Sequence, residues 1–285
     1  MSTQMRPEIG NPARWSERGA ILLGVLALAA LACSGYVWAW GDVAHRLATE
    51  NAVKSLPNPL RDFYRKREAQ LMQQVDDASI GSQRWTFEVD ALEPFPFVDL
   101  PLSRDAAVEK YGAEKIEEVG DLPWRLLETY AKLEQAFRDM DLEAIDRHSA
   151  EIVLYVNDLH QPLNVSKYGD GALTEQDGFR ARFDSRLLEM HGDDLRVDDT
   201  AAIYLDAPER YVISILVRSF VWMDNLLLFD YLSNQGTSSY DRFYYDGLWL
   251  RSKEIIEGRL TDASKDIASY WYTAWTKAGK PKLSS

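Results

Sequence analysis

The chain holds a single cysteine, Cys33, in 285 residues. A disulfide framework is therefore excluded, and the fold must stand on its buried core. Histidine is scarce as well: His45, His148, His160 and His191 make up the four. No internal repeat and no low-complexity linker interrupts the chain. Positive charge is in deficit, with 32 Lys+Arg against 45 Asp+Glu and a formal net charge of −13. An acidic surface repels nucleic acid and anionic lipid unless a local cationic site overrides it. Nucleic acid is thereby disfavoured as a partner.

What the chain has is apolar residues. Hydrophobic residues make up 46% and aromatics 12%, enough for one large core or two modest ones. Residues 1–39 read as a secretory signal. Arg6, Arg14 and Arg18 supply a positive start, Ala20 to Cys33 is an uncharged apolar run, and Val37-Trp38-Ala39 offers a cleavage site. The expected location is secreted or periplasmic. An uncleaved N-terminal anchor in the inner membrane is the alternative, although the apolar run is short of the ~20 residues of a membrane span. A lipid-modified Cys33 is disfavoured by Ala30, which stands where a larger aliphatic residue is usual. Cleavage after Ala39 removes three Arg and two Glu, which moves the formal charge from −13 to −14.

The pattern after the signal is helical. Leu126, Leu127, Tyr130, Leu133, Phe137 and Met140 recur at helical spacing after Pro123, and Ala144 to Leu159 continues in register after a break at Asp139–Asp141. Tyr211 to Tyr231 is apolar on nearly every face, which predicts a buried central helix. Arg218, Asp224 and Asp230 argue against a membrane span there. Tyr240 to Lys277 predicts one or two further helices. Ser82 to Arg104, with Pro94, Pro96 and Pro101, is the main irregular stretch, and Tyr168 to Gly178 is a loop between helices. One all-α domain over residues 40–285 is the economical reading.

Chemistry-bearing residues gather in a few places. Near the expected new terminus stands Trp40-Gly41-Asp42-Val43-Ala44-His45. The middle carries Asp158-Leu159-His160-Gln161-Pro162-Leu163, followed after the loop by Gly178 through Asp184-Ser185. The end carries Tyr270-Trp271-Tyr272-Thr273-Ala274-Trp275 and then Ala278-Gly279. Asp158 lies on a largely apolar helix, and a buried carboxylate must be paired or neutralised. His160 stands before Gln-Pro, which predicts a structural hydrogen bond near a helix end. His148 and His191 lie in polar surroundings and are expected to face solvent. Arg180 and Asp184, four residues apart, could form an ordinary helix ion pair. Trp271 and Trp275 at helical spacing predict core packing.

In order and spacing these marks resemble the bacterial zinc-dependent phospholipase C family, which is related to the single-strand-specific zinc nucleases. The similarity runs nearly end to end. It implies a multi-helix domain with three clustered zinc ions that bind a phosphodiester and activate water. By that resemblance the first zinc would use the amine and carbonyl of Trp40 with His45 and Asp158. The second would use Asp76 or Asp77, a histidine near Thr86 or Phe87, and another at Leu154. The third would use histidines at Asn164 and Arg180, with Asp184. Four of those histidines are missing.

Zinc prefers imidazole or thiolate, with carboxylate as a supplement. Leu154 ligates nothing, Asn164 offers a weak neutral oxygen, and Arg180 is a permanent cation. The resemblance therefore implies at most one or two zinc ions, or none. It leads to the expectation of a degenerate trinuclear site in a protein catalytically impaired and retained for binding or structure. The rival is a metal-dependent phosphodiester or phosphomonoester hydrolase with a reduced metal set. A phosphorylated small molecule or lipid, held by Arg180 and Arg182, is a third idea for the partner.

Overall fold

Pro123 opens a helix whose apolar residues return every third or fourth position, and such a stripe must find a partner. A computed structural model describes residues 41–80, 86–235 and 239–283, all of which belong to one compact unit. Among them the secondary structure is helical, without strands. The signal expected over residues 1–39, and Trp40 with it, lie outside the described residues. The N-terminal helices are α1 (Gly41–Ser55), α2 (Leu60–Lys66) and α3 (Glu68–Ile80). Two short helices follow, α4 (Arg104–Tyr111) and α5 (Ala113–Val119).

The helix after Pro123 is α6 (Leu122–Asp139), and it packs along α7 (Leu142–His160). The break between them has a local cause. Met140 turns left-handed at φ 55° and ends α6, while the Asp141 side chain accepts the Ala144 amide at 3.1 Å and starts α7. From Ile152 to His160 every residue of α7 is buried. This helix is the centre of the molecule.

The central position expected for Tyr211 to Tyr231 needs correction. That stretch is two helices, α8 (Pro208–Phe220) and α9 (Met223–Ser233), separated by a turn at Val221 and Trp222. Helix α8 buries Val212, Ile215, Leu216 and Ser219, while α9 buries Met223, Leu226 and Asp230. The apolar residues between them face outward, including Leu228, Tyr231 and Leu232. By length and composition Pro208–Ser233 could cross a membrane, yet only 33% of its most apolar window is buried within the protein. Hydrophobicity alone does not say which neighbours a face meets.

The last element is one continuous helix, α10 (Arg242–Lys277), of 36 residues. At 1.5 Å per residue it is ~54 Å long, enough to serve two cores. Its first half packs Tyr244, Leu248, Ile256 and Leu260 against Phe179, Phe183 and Leu187. Its second half places Ala263, Ile267 and Trp271 in the larger core with α6 and α7. Trp271 and Trp275 are buried, and Trp271 stacks on Tyr64 at 4.4 Å. The irregular stretch is described from residue 86 and runs to Ser103 with a single short helical turn, Val89–Ala91.

The two faces of α9 should respond differently to truncation. Leu226 is fully buried and Leu228 is 50% exposed. Leu226→Ala is expected to lower the unfolding free energy by about 2–5 kcal/mol. Leu228→Ala should change it by no more than about 0.5 kcal/mol. Urea titration of the two variants measures the contrast, and equal losses would restore the buried-helix reading.

Candidate functional site

A helix that ends in the protein interior leaves its last four carbonyls without helical partners. Helix α7 ends at His160 because Gln161 precedes Pro162 and is held extended, with ψ 111°. Each of the four carbonyls has a partner. The Gln161 amide donates to Asn157 O at 3.1 Å and to Asp158 O at 3.3 Å. The Ser219 hydroxyl donates to Leu159 O at 2.6 Å, and Arg259 Nε donates to His160 O at 3.3 Å.

The side chains of this buried end are polar and face two networks. In the first, His160 Nε2 donates to Asp266 Oδ2 at 3.0 Å, and His160 Nδ1 accepts from Arg259 Nη2. Those bonds fix a neutral ring with its proton on Nε2. Burial, then the Arg259 charge, lowers its pKa to about 4. Arg218 Nη2 at 2.7 Å and the Tyr211 hydroxyl at 2.6 Å also bond Asp266. Burial alone would raise the Asp266 pKa; His160, Arg218 and Tyr211 more than offset it and hold it below the usual value. His160 is thus structural, as its place before Gln161-Pro162 suggested.

The second network holds the remaining acids. Asn164 Nδ2 donates to Asp158 Oδ1 at 3.5 Å, and Gln161 Nε2 donates to Asp184 Oδ1. Asp158 is 2% and Asp184 1% exposed. Asp184 sits in a π-helical turn, Arg182–Leu187, which follows the short helix Phe179–Ala181 that carries Arg180. The Arg180 side chain is buried beside Gly169: a Cβ there would lie 2.6 Å from Arg180 Nη2 and collide with Leu163 O. Glu88 supplies an opposing charge. Burial raises the Glu88 pKa, and Arg180 pulls it back. The segment around Thr86 and Phe87 adjoins the same turn, since the Phe87 amide donates to Asn164 O at 2.8 Å.

The structure therefore brings Asp158, Asn164, Asp184 and Arg180 to the end of α7 and the turn after it. Leu154 lies one turn earlier, 3% exposed, in the larger core. His45 lies on α1, buried, with Nε2 lacking a hydrogen-bond partner among the described residues. Burial lowers its pKa to about 4. Asp76 and Asp77 are exposed at the end of α3, where Asp77 accepts from Gln73 at 2.9 Å.

Three expectations change. Arg182 is not free for a phosphate. It donates to the Tyr244 hydroxyl, to the carbonyls of Asp177 and Gln176, and to Asp230, beneath the Tyr240 ring at 3.8 Å. His191 is stacked on Trp249 at 5.1 Å and lies 3.2 Å from Asp246, so it is partly buried rather than solvent-facing. His148 is likewise partly covered and pairs with Glu151 at 2.8 Å. Sequence reasoning missed Glu88, Asp266 and Arg259 because their partners are remote in the chain.

Among the described residues, no group of three or more His, Cys, Asp or Glu is arranged to hold a metal ion. The three-zinc set fails on donor chemistry. Leu154 offers hydrocarbon, Asn164 presents an N–H to Asp158, and Arg180, at a position the resemblance gives to a zinc ligand, is a buried cation. Comparison with known protein families gives no matching family model, and comparison with curated proteins gives no match.

Two measurements follow. Arg180→Ala removes a buried cation that opposes the charge of Glu88, and breaking a buried charge pair typically costs about 3–5 kcal/mol. The melting temperature should fall well beyond that of a surface variant and should not recover with added zinc. An unchanged melting temperature would reduce Arg180 to a surface-like role. The second concerns acid. His45 and His160 have folded pKa values of about 4 against 6.5 for the free group. Between those values the unfolded chain binds protons that the folded chain refuses. Stability is then greatest above pH 6.5 and falls toward pH 4 by roughly 3 kcal/mol per histidine at most. Urea titrations across that range should show the loss; a flat profile would mean that the rings are solvated.

Proposed function

We propose that the chain is a secreted or periplasmic relative of the zinc-dependent phospholipase C and single-strand nuclease type that no longer hydrolyses phosphodiesters. It is retained for binding or structure. The observation that carries this reading is the partnering of the buried acids. Asp158 takes an amide hydrogen from Asn164, Asp184 takes one from Gln161, and Arg180 brings a permanent cation to the same turn. Activating water at neutral pH requires a metal or an equivalent charge to lower its pKa. A guanidinium is a permanent cation and has no basic form for that task. The order of the Trp40–His45, Asp158–Leu163 and Gly178–Ser185 marks supports the descent.

A second reading rests on His45. Its buried, neutral ring and unbonded Nε2 suit a single zinc shared with the Trp40 terminus and Asp158. That chemistry would be a phosphoric ester hydrolase with one metal.

Elemental analysis of the processed chain, purified without chelator, separates the two. Zero zinc per chain and no turnover of single-stranded DNA, RNA or phosphatidylcholine is the expected outcome. Each 1.36 kcal/mol of lost transition-state stabilisation is about tenfold in rate, so the missing ligands should remove many orders of magnitude. One zinc that is lost in His45→Ala, together with turnover, would establish the second reading. Three zinc ions would overturn both.

A further inference from the structure

A cavity of about 820 Å³ opens beside α9 and the middle of α10, with residues 196–198 as a third wall. Its lining shares no residue with Asp158, Asn164, Asp184 and Arg180, and it meets the His160 network at Arg259. The third wall is fixed in place: the Arg196 amide donates to Glu257 Oε1 at 2.9 Å, and the Asp198 amide donates to Thr261 Oγ1 at 3.1 Å. Apolar surface comes from Trp222, Phe229 and Ile255, and Trp222 is 37% exposed.

Three cations and four acids line the cavity, and of these Glu257 is already paired with Lys253 and Asp262 with Arg259. Arg196 and Arg251, Asp198 and Glu254 line the cavity, two of each sign, and none is in an ion pair among the described residues. Buried Arg259 also lines it. Its bonds to Asp262, His160 and Ser219 leave one Nη1 hydrogen without a partner among the described residues. Gly258 is a lining residue too, and apart from its chain neighbours and the adjoining helix backbone no protein atom lies within 4 Å of the place its Cβ would take. Glycine is a poor residue for a helix interior, so nothing in the packing of α10 accounts for this one.

We propose that this cavity binds a small zwitterion with an apolar body, of the amino-acid or short-peptide type. A ligand of one sign would meet at least two like charges outside ion pairs on the wall, whereas a zwitterion answers both uncommitted pairs. Its carboxylate fits Arg196, Arg251 and the remaining Arg259 hydrogen, and its ammonium fits Asp198 and Glu254. The apolar body lies on Trp222, Phe229 and Ile255, as small-molecule sites commonly combine apolar walls with a few placed polar groups. The open space over Gly258 is part of the room it occupies.

Calorimetric titration of the full chain with the dipeptide phenylalanyl-leucine tests the assignment, alongside its N-acetylated and C-amidated forms. Saturable binding is expected for the free dipeptide, with about tenfold or more weakening on capping either end. Gly258→Leu should weaken binding at least about tenfold while its melting temperature stays the same or rises, because leucine is a better helix former. No saturable heat up to about 5 mM dipeptide, equal binding of the capped forms, or equal binding by Gly258→Leu would each overturn the proposal.

Discussion

Helix α7 ends inside the protein, and much else follows from the need to satisfy that end. Four carbonyls and the side chains of Asn157, Asp158, His160 and Gln161 lie out of water there. An unpaired buried polar group costs ~1–3 kcal/mol, so an end left open would consume a large part of the stability of an ordinary domain. The chain answers with Ser219 from α8, Arg259 and Asp266 from α10, and Asn164 and Gln161 from the turn itself. These bonds also fix how α8 and α10 sit on α7. The candidate site and the packing of three helices meet at one helix terminus.

Parts of this were legible in the sequence, and the reason differs from element to element. Helices α6 and α7 were legible because their apolar residues recur at helical spacing, and Pro123, Asp141 and Pro162 punctuate them. The α8–α9 pair was misread because an apolar residue looks the same whether it packs or faces outward. Leu226 and Leu228 differ only in what lies next to them. The continuity of α10 was left open, since its two halves belong to different cores and the apolar face drifts between them. At the site, the place of His160 before Gln161-Pro162 pointed to its structural role. Its partner Asp266 stands 106 residues away and could be found only in the fold.

The electrostatics of the α7 end have a consistent logic. Carboxylates held close together repel unless a cation or hydrogen-bond donors intervene. A divalent metal is one solution, and internal donors are another. Here Asp184 and Asp158 accept side-chain amide hydrogens, Asp266 accepts from a histidine, a tyrosine and an arginine, and Arg180 faces Glu88 from the same turn. Arg182 repeats the device with Asp230 and Tyr244 a few residues on. Internal donors are present in the folded chain at all times, so stability should not depend on an added ion. Burial of His45 and His160 in neutral form belongs to the same economy of charge.

The central claim is that the protein supplies its own hydrogen-bond donors and a cation to the end of α7 in place of a metal ion. The most direct measurement is the melting temperature of the processed chain in excess chelator and in saturating zinc. A ligand that binds only the folded state raises stability by RT ln(1 + [L]/Kd), about 4 kcal/mol at 1,000 times Kd. The account predicts the same melting temperature in both conditions. A rise of several degrees with zinc, reversed by chelator, would contradict it.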